Sequence, residues 1–112
     1  MRPRGLGPVL AALAMVAVAA PVFGQASGRV LVMPFENATG DPRYVWLGEA
    51  SAILLADDLR ALGVAAIRRD ERRAAFDRLQ VPPVAALSDA TVIRVGQVLG
   101  AAQVIVGSLA LD

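Results

Sequence analysis

The chain has 112 residues, with eleven arginines, ten acidic residues, and no cysteine, histidine or lysine, so its formal net charge is +1. These absences exclude disulfide bonds, thiolate nucleophiles, cysteine or histidine metal sites, a histidine general base and lysine Schiff-base chemistry. One small domain is the upper limit at this length, and the nearly neutral charge balance does not indicate a nucleic-acid-binding surface.

The first 26 residues have the order of a secretory signal peptide. Two arginines precede an uncharged apolar run over residues 6–20, and Pro21 and small residues follow it. We expect cleavage after Gly24 or after Ala26, and the sequence does not distinguish between the two positions. Residues 27–112 are then the exported domain.

An uncleaved membrane anchor is the alternative for the same segment. The run from residue 5 to residue 24 reaches the length of a spanning helix, about 20 residues, only by including two prolines. The length and the flanking residues favour cleavage and a periplasmic or otherwise exported product. The lack of cysteine excludes amino-terminal lipidation.

The remainder predicts a single small α/β domain with the element order β-α-β-α-α-β. Apolar, β-branched segments predict strands at residues 29–35, 64–68 and 103–111. Helical patterns predict helices over about residues 44–62, 70–79 and 88–99. Because helices connect the strands, we expect a layered domain with parallel pairing, in the order second strand, first strand, third strand.

Several finer expectations follow from spacing. We expect the first helix to face the sheet with a leucine stripe formed by Leu47, Leu54, Leu55, Leu59 and Leu62. Gly63 is placed to end that helix, Asp70 to cap the second helix, and Ser88 or Asp89 to cap the third. The last strand would be an open apolar edge, so we expect further strands to follow and this domain to be partial.

The most unusual local feature is the loop 36–42, which contains Asn37, Thr39 and Asp41. It follows a strand and opens a helix, where backbone N–H groups can receive an anion or a partner. A capped turn explains the same residues, and no phosphate cradle is present.

Two aromatic residues, Tyr44 and Trp46, stand at the start of the first predicted helix. They can form a binding anchor, or they can fix the helix to the sheet. The candidate contact residues for a partner or ligand are therefore Asn37, Thr39, Asp41, Tyr44 and Trp46.

No group of residues predicts catalysis. The adjacent carboxylates Asp57 and Asp58 point about 100° apart on a helix and indicate a solvated face, as does Glu49. The mixed charges of residues 68–73 indicate helix capping and solubility. We therefore expect no enzyme activity, no cofactor and no metal.

Residues 29–59, RVLVMPFENATGDPRYVWLGEASAILLADDL, resemble the opening of TolB-like amino-terminal domains. There a strand leads into Pro-Phe-x-Asn-x-x-Gly-Asp, and an aromatic residue precedes a Leu-Gly-Glu helix start. The matching residues here are Pro34, Phe35, Asn37, Gly40, Asp41, Leu47, Gly48 and Glu49. The second half resembles the same fold in curli-secretion and flagellar outer-membrane accessory proteins, at Arg69, Gly96, Leu99-Gly100-Ala101 and Val106-Gly107-Ser108.

The resemblance covers about residues 29–111 and implies a periplasmic, non-enzymatic interaction domain. In many relatives this domain precedes tetratricopeptide repeats or a β-propeller. This chain lacks the lipidated cysteine of the curli-type members, and it stops where relatives continue with further strands. We expect a cell-envelope domain that docks a protein partner as the leading part of a larger scaffold. A small-ligand or nucleotide-sensing periplasmic domain is the alternative.

Overall fold

The computed structural model describes residues 13–21, 28–82 and 87–111. Its strands are β1 (Leu13–Pro21), β2 (Arg29–Val32), β3 (Glu36–Asn37) and β4 (Ala101–Leu111). Its α-helices are α1 (Trp46–Ala61), α2 (Arg69–Leu79) and α3 (Asp89–Val98), and a short 3-10 helix, Pro42–Tyr44, precedes α1. Both predicted cleavage positions, Gly24 and Ala26, and the two leader arginines lie outside the described residues.

The sheet is organised around β4. β2 and β3 pair with one edge of β4 in parallel, and β1 pairs with the opposite edge antiparallel. On the far side of β2, Val30 forms a parallel bridge with Ala66. The prediction of a small α/β domain is confirmed. The predicted order of segments 64–68, 29–35 and 103–111 is also the order that the structure shows.

Two predicted strands are shorter than the sequence indicates. The first is interrupted after Val32, because Pro34 has no N–H and the N–H of Phe35 donates to the Gly48 carbonyl in α1 (3.0 Å) instead of the sheet. The second shrinks to the bridge at Ala66, because the N–H of Ala66 donates to the nearby Val64 carbonyl (2.9 Å). These hydrogen bonds therefore occupy backbone N–H groups that a longer strand would donate to its neighbour in the sheet.

Side chains from β2 alternate between two cores, as the pleat of a strand requires. Val30 and Val32 pack with Phe35 and Leu109 against α1. Leu31 and Met33 lie in the other cluster, with side chains from α2, α3 and β4 that are Ala75, Phe76, Val95, Leu99 and Val104. Helices therefore cover both faces of the sheet in three layers.

Helix α1 meets the sheet through small residues. Gly48, Ala52 and Ala56, four positions apart, are its buried residues. The predicted leucine stripe is correct for Leu47, Leu55 and Leu59. These three leucines are partly buried and pack against the same core cluster as Ala52 and Ala56.

The stripe is wrong for two leucines. Leu54 is 64% exposed and Leu62 is 80% exposed. Leu54 follows the buried Ala52 by two residues, so it points about 160° away from it around the helix, and Leu62 lies beyond Ala61, the last residue of α1.

The helix ends follow the predicted chemistry in part. Gly63 has a φ of +89° just after α1, and the Ser88 hydroxyl, rather than Asp89, accepts the Thr91 N–H at the start of α3. The prediction for Asp70 is wrong, because α2 begins one residue earlier and Arg68 is its N-cap. The Asp70 carboxylate instead accepts the N–H of Glu71 within the first turn (3.0 Å).

β1 is formed by residues that the sequence assigns to the leader. It covers the edge of β4 that we expected to be open, with nine residues in register from Leu13 opposite Leu111 to Pro21 opposite Gln103. The assignment of residues 1–26 as a signal peptide stays a prediction. Within residues 13–21, 28–82 and 87–111, no helix combines the length and the apolar character needed to cross a membrane.

Candidate functional site

The loop after β2 is built by two of the candidate residues. The Asn37 amide donates to the Asp41 carbonyl (2.9 Å), and its oxygen accepts the N–H of Gly40 (3.3 Å). The Asp41 carboxylate accepts the N–H of Arg43 (3.0 Å) and caps the 3-10 helix. Asn37 and Asp41 therefore hold the turn, and their contact with a partner stays a prediction.

Asp41 also binds the guanidinium of Arg43, with 2.8 Å between Oδ2 and Nη2. The hydrogen bonds from Arg43 hold the pKa of the Asp41 carboxyl below its usual value and raise the pKa of Arg43 in return. This pair lies on the surface, where solvent screens it, so we attribute no stability to it.

Thr39 joins the loop to the end of the sheet. Its hydroxyl oxygen accepts the N–H of Leu111 in β4 (2.8 Å). A second hydrogen bond joins the loop to β4, from the N–H of Ala38 to the carbonyl of Leu109 (2.8 Å). Thr39 thus fixes the loop against β4.

The two aromatic candidates differ in exposure. Tyr44 is partly buried, with the Arg43 guanidinium 5.3 Å from its ring centroid. Trp46 is 61% exposed, and its indole Nε1 donates to the Arg43 carbonyl (3.0 Å). The indole is therefore held by its polar atom while most of its surface remains in solvent, so Trp46 does not fix α1 to the sheet.

Trp46 is the first member of an exposed apolar ridge on α1. Residues four apart along a helix form a continuous ridge, and here that ridge runs through Trp46, Ala50, Leu54, Asp58 and Leu62. With Val45, which is 44% exposed, its large apolar members are all solvent-accessible. We call Val45, Trp46, Leu54 and Leu62 the outer ridge.

A cavity of about 460 Å³ lies where the loop meets the carboxyl end of β2. Its walls are largely apolar, and they include Met33, Phe35, Phe76, Leu87, Val92 and Val106. Asn37 and Glu49 supply polar groups. Ligand-binding pockets commonly fall within about 300–1,000 Å³ and combine such walls with a few polar groups.

An ion cluster beside this cavity is not predicted by the sequence analysis. Arg72 in α2 is buried and makes two hydrogen bonds to the Glu49 carboxylate in α1, at 3.0 and 2.8 Å. Arg69 donates to the same carboxylate (2.6 Å). Glu49 and Arg72 are therefore not the solvated residues that the charge pattern indicates. Glu49 and Arg69 are both among the residues on which the TolB-like resemblance was based, but that resemblance assigned them no role in a site.

The electrostatics of the cluster favour the ionised carboxylate. Burial by itself would raise the pKa of Glu49, but the hydrogen bonds and positive charges of Arg72 and Arg69 outweigh burial and lower that pKa. The Arg72 guanidinium also lies 5.9 Å from the ring centroid of Phe76, one turn along α2. The cluster thus joins α1 to α2 beside the cavity.

The other charged residues singled out above lie where the pattern predicts. Asp57 pairs with Arg60 on the same helix, and Asp58 is exposed. Among the described residues, no three acidic side chains come together in a way that could hold a metal ion. Comparisons of this chain with protein-family models, with curated proteins and with solved structures found no match.

Proposed function

We propose that this chain is an exported, non-enzymatic domain of the cell envelope that docks a protein partner through the outer ridge of α1. The observation that carries the proposal is the exposure of Trp46 and Leu54, which point about 80° apart on α1, and of Leu62 just beyond the end of this well-packed helix. The leader-like first 26 residues and the TolB-like resemblance support export and a place at the front of a larger scaffold.

The outer ridge has the properties of a binding anchor. Tryptophan is enriched among the residues that dominate binding energy, and large apolar side chains gain free energy when a partner removes them from water. The indole is already oriented by its bond to the Arg43 carbonyl, so docking orders few additional torsions.

Charge around the ridge indicates the chemistry of the partner. The exposed carboxylate of Asp58 lies four residues from both Leu54 and Leu62, in the same row of residues along α1. A partner surface with an apolar centre and basic groups at its rim complements this arrangement.

Site-specific crosslinking tests this proposal. A photoreactive amino acid replaces Leu54 in the chain expressed in its source cells, and Arg73, which is exposed on α2, carries the same group in a matched control. We expect one discrete protein adduct from position 54 in the envelope fraction and none from position 73. Trp46→Ala should reduce the adduct without lowering the unfolding midpoint of the purified chain, because Trp46 is mostly exposed.

The outcome that rejects the proposal is equally definite. An identical set of adducts from positions 54 and 73 would indicate non-specific proximity. An adduct from position 54 that Trp46→Ala leaves unchanged would remove Trp46 from the docking surface.

The second candidate function is that of a small-ligand sensor, and the cavity beside Asn37 and Glu49 favours it. A thermal-shift screen with nucleotides and sugars separates this function from protein docking. A ligand that raises the unfolding temperature of the wild-type chain, and does so less in Asn37→Ala, supports the sensor. Asn37→Ala also loses two loop hydrogen bonds, so Thr39→Ala serves as the control for loop damage away from the cavity.

A further inference from the structure

β4 has two edges and no charged residue in its eleven positions, Ala101–Leu111. One edge pairs with β2 and β3, and the other pairs with β1. Long edge strands are usually covered by another element, or they carry charged side chains that prevent pairing with other chains. β4 has no such charges, so it depends on a strand to cover its second edge.

β1 supplies that cover with a backbone ladder, and its described side chains, at residues 15–18, are exposed. Met15, Val16 and Val18 are each more than half exposed, although they alternate between the two faces of the sheet. In β2, by contrast, Val30, Leu31 and Val32 are all buried. At residues 15–18, where its side chains are described, β1 therefore adds few buried side-chain contacts, and another strand with the same backbone geometry can replace it.

The register of β1 is symmetric about one residue of β4. Its nine residues span Gln103 to Leu111, and its central residue, Ala17, lies opposite Gly107. An antiparallel β4 from a second copy, related by a twofold axis at Gly107, would cover the same nine residues. Each β4 would then meet its own uncharged sequence, with no like charges in contact.

Gly107 suits the centre of such a ladder. A Cβ at this position would lie 2.5 Å from the Val16 carbonyl oxygen and 2.8 Å from the Phe35 ring, so the missing side chain lets the neighbouring strand approach. In a dimer centred on Gly107, each copy contributes a glycine without a side chain at the point where the two strands meet.

We propose that the β4 edge is a dimerisation interface, which β1 occupies in the unprocessed chain and a second copy's β4 occupies after residues 1–26 are removed. The proposal rests on the cleavage of the leader that the proposed function includes. It is independent of the outer ridge, which lies on α1.

The first test releases β1 within the full chain. Proline lacks the N–H that a ladder requires, and of two successive residues one directs its N–H toward β4. The double variant Ala17→Pro/Val18→Pro therefore removes a hydrogen bond from β1 to β4, whichever of the two residues donates it. We expect sedimentation equilibrium to give about 11.6 kDa for the wild-type chain and about twice that mass for the variant. Val18→Ala, which keeps its N–H, should remain monomeric.

The second test reads the register. The chain contains no cysteine, so introduced thiols are its only ones. In a dimer centred on Gly107, residue 106 of one copy lies opposite residue 108 of the other. Val106→Cys/Ser108→Cys in the proline background should form disulfide-linked dimers on oxidation, and neither single variant should form them in comparable yield.

Two results overturn the proposal. A proline variant that remains monomeric with native circular dichroism would show that the released edge does not pair. A dimer without the disulfide between positions 106 and 108 would place the interface elsewhere.

If the proline variant fails to fold, a protease site inserted after Gln25 lets the leader be cut from the already folded chain. Sedimentation equilibrium and the disulfide between positions 106 and 108 then test dimerisation of the cut chain in the same way. Crosslinking from position 54 is read separately, so failure of partner docking and failure of dimerisation are distinguishable.

Discussion

Arg72 illustrates how this small domain places a charge in its interior. The residue is 3% exposed, and an isolated buried guanidinium would be strongly destabilising. Here two hydrogen bonds to Glu49 and the nearby ring of Phe76 compensate for lost hydration. Buried pairs of this kind add little net stability when intact, but the loss of one partner typically costs about 3–5 kcal/mol.

The Glu49 carboxylate makes stability depend on pH. Its pKa is below the ordinary value of 4.5 in the folded chain because Arg72 and Arg69 outweigh the effect of burial. A carboxyl whose pKa is lowered by folding stabilises the fold above the unfolded pKa, and this contribution is lost as the pH falls through the folded pKa. We therefore expect the free energy of unfolding to decrease as the pH falls below about 4.5.

Urea unfolding at a series of pH values measures this dependence. Glu49→Gln should be less stable than the wild type at neutral pH, and its stability should change less on acidification. Glu71→Gln, which removes a carboxylate from the Arg29 ion pair outside the cluster, corrects for the general loss of one negative charge. Equal acid dependence in wild type and Glu49→Gln would contradict the assignment.

For single residues, the sequence predicts the roles that depend on neighbouring positions in the chain. The end of α1 at Gly63 and the cap at Ser88 follow from neighbouring residues. The contact between Glu49 and Arg72 joins residues 23 positions apart, so it depends on how α1 and α2 pack. The sequence patterns placed Glu49 on a solvated face, and Arg69 and Arg72 in a run of solubilising charges, so they did not indicate this contact.

Among the elements, α1 is the one whose packing is most sharply defined. At Gly48 the helix backbone reaches the chain after β2, where Phe35 donates to the Gly48 carbonyl. A Cβ at Gly48 would lie 2.1 Å from the Phe35 carbonyl oxygen, which is a backbone atom and cannot rotate away. The close approach of α1 to the sheet therefore requires glycine here.

Gly48→Ala should destabilise the domain. Alanine gains about 1 kcal/mol of helix propensity over glycine, but overpacking costs about 1–3 kcal/mol and the Phe35 hydrogen bond is strained as well. We expect a net loss of about 1–2 kcal/mol in urea unfolding. Ala61→Ser, an exposed change on the same helix, should stay within about 0.5 kcal/mol of wild type. A stable Gly48→Ala would mean that α1 can move away from Phe35.

The type of each element, helix or strand, was more predictable than which of its faces contacts the rest of the domain. The three helices and the apolar last strand follow from periodicity, and their bounds differ from the expected ones by a few residues. The leucine stripe failed because α1 is apolar on two sides, and periodicity does not say which side contacts the sheet. The small residues Gly48, Ala52 and Ala56 make that choice, since they permit the closest approach.

Taken as a whole, the described molecule consists of elements that share a buried core and one strand at the edge of the sheet. β2, β4 and the three helices share the buried clusters, whereas the described side chains of β1 lie outside them. Local openings involve segments with few buried contacts. We expect the backbone amides of β1 to exchange with solvent about tenfold or more faster than those of β2.

Hydrogen exchange on the full chain, resolved by residue, checks this expectation. The matched comparison is within β4, between amides that face β1 and amides that face β2. Equal protection along both edges would show that β1 opens only when the whole domain unfolds. That result would also weaken the inference that a second copy replaces β1.

The arrangement of the sheet was predictable because few topologies connect parallel strands through helices. The segment 64–68, β2 and β4 lie in the expected order. β1 was not predictable, because its sequence has the order of a leader and carries no alternation that distinguishes a strand from an apolar helix.

The central position of β4 also fixes when the sheet can form. β1, β2 and β3 all find their strand partner in β4, which follows every other described element in the sequence. Ribosomes synthesise the chain from its amino terminus, so none of these ladders exists until residues 101–111 have been made. The growing chain therefore lacks its sheet until β4 has left the ribosome, and any helix that forms earlier does so without the strands that it later covers.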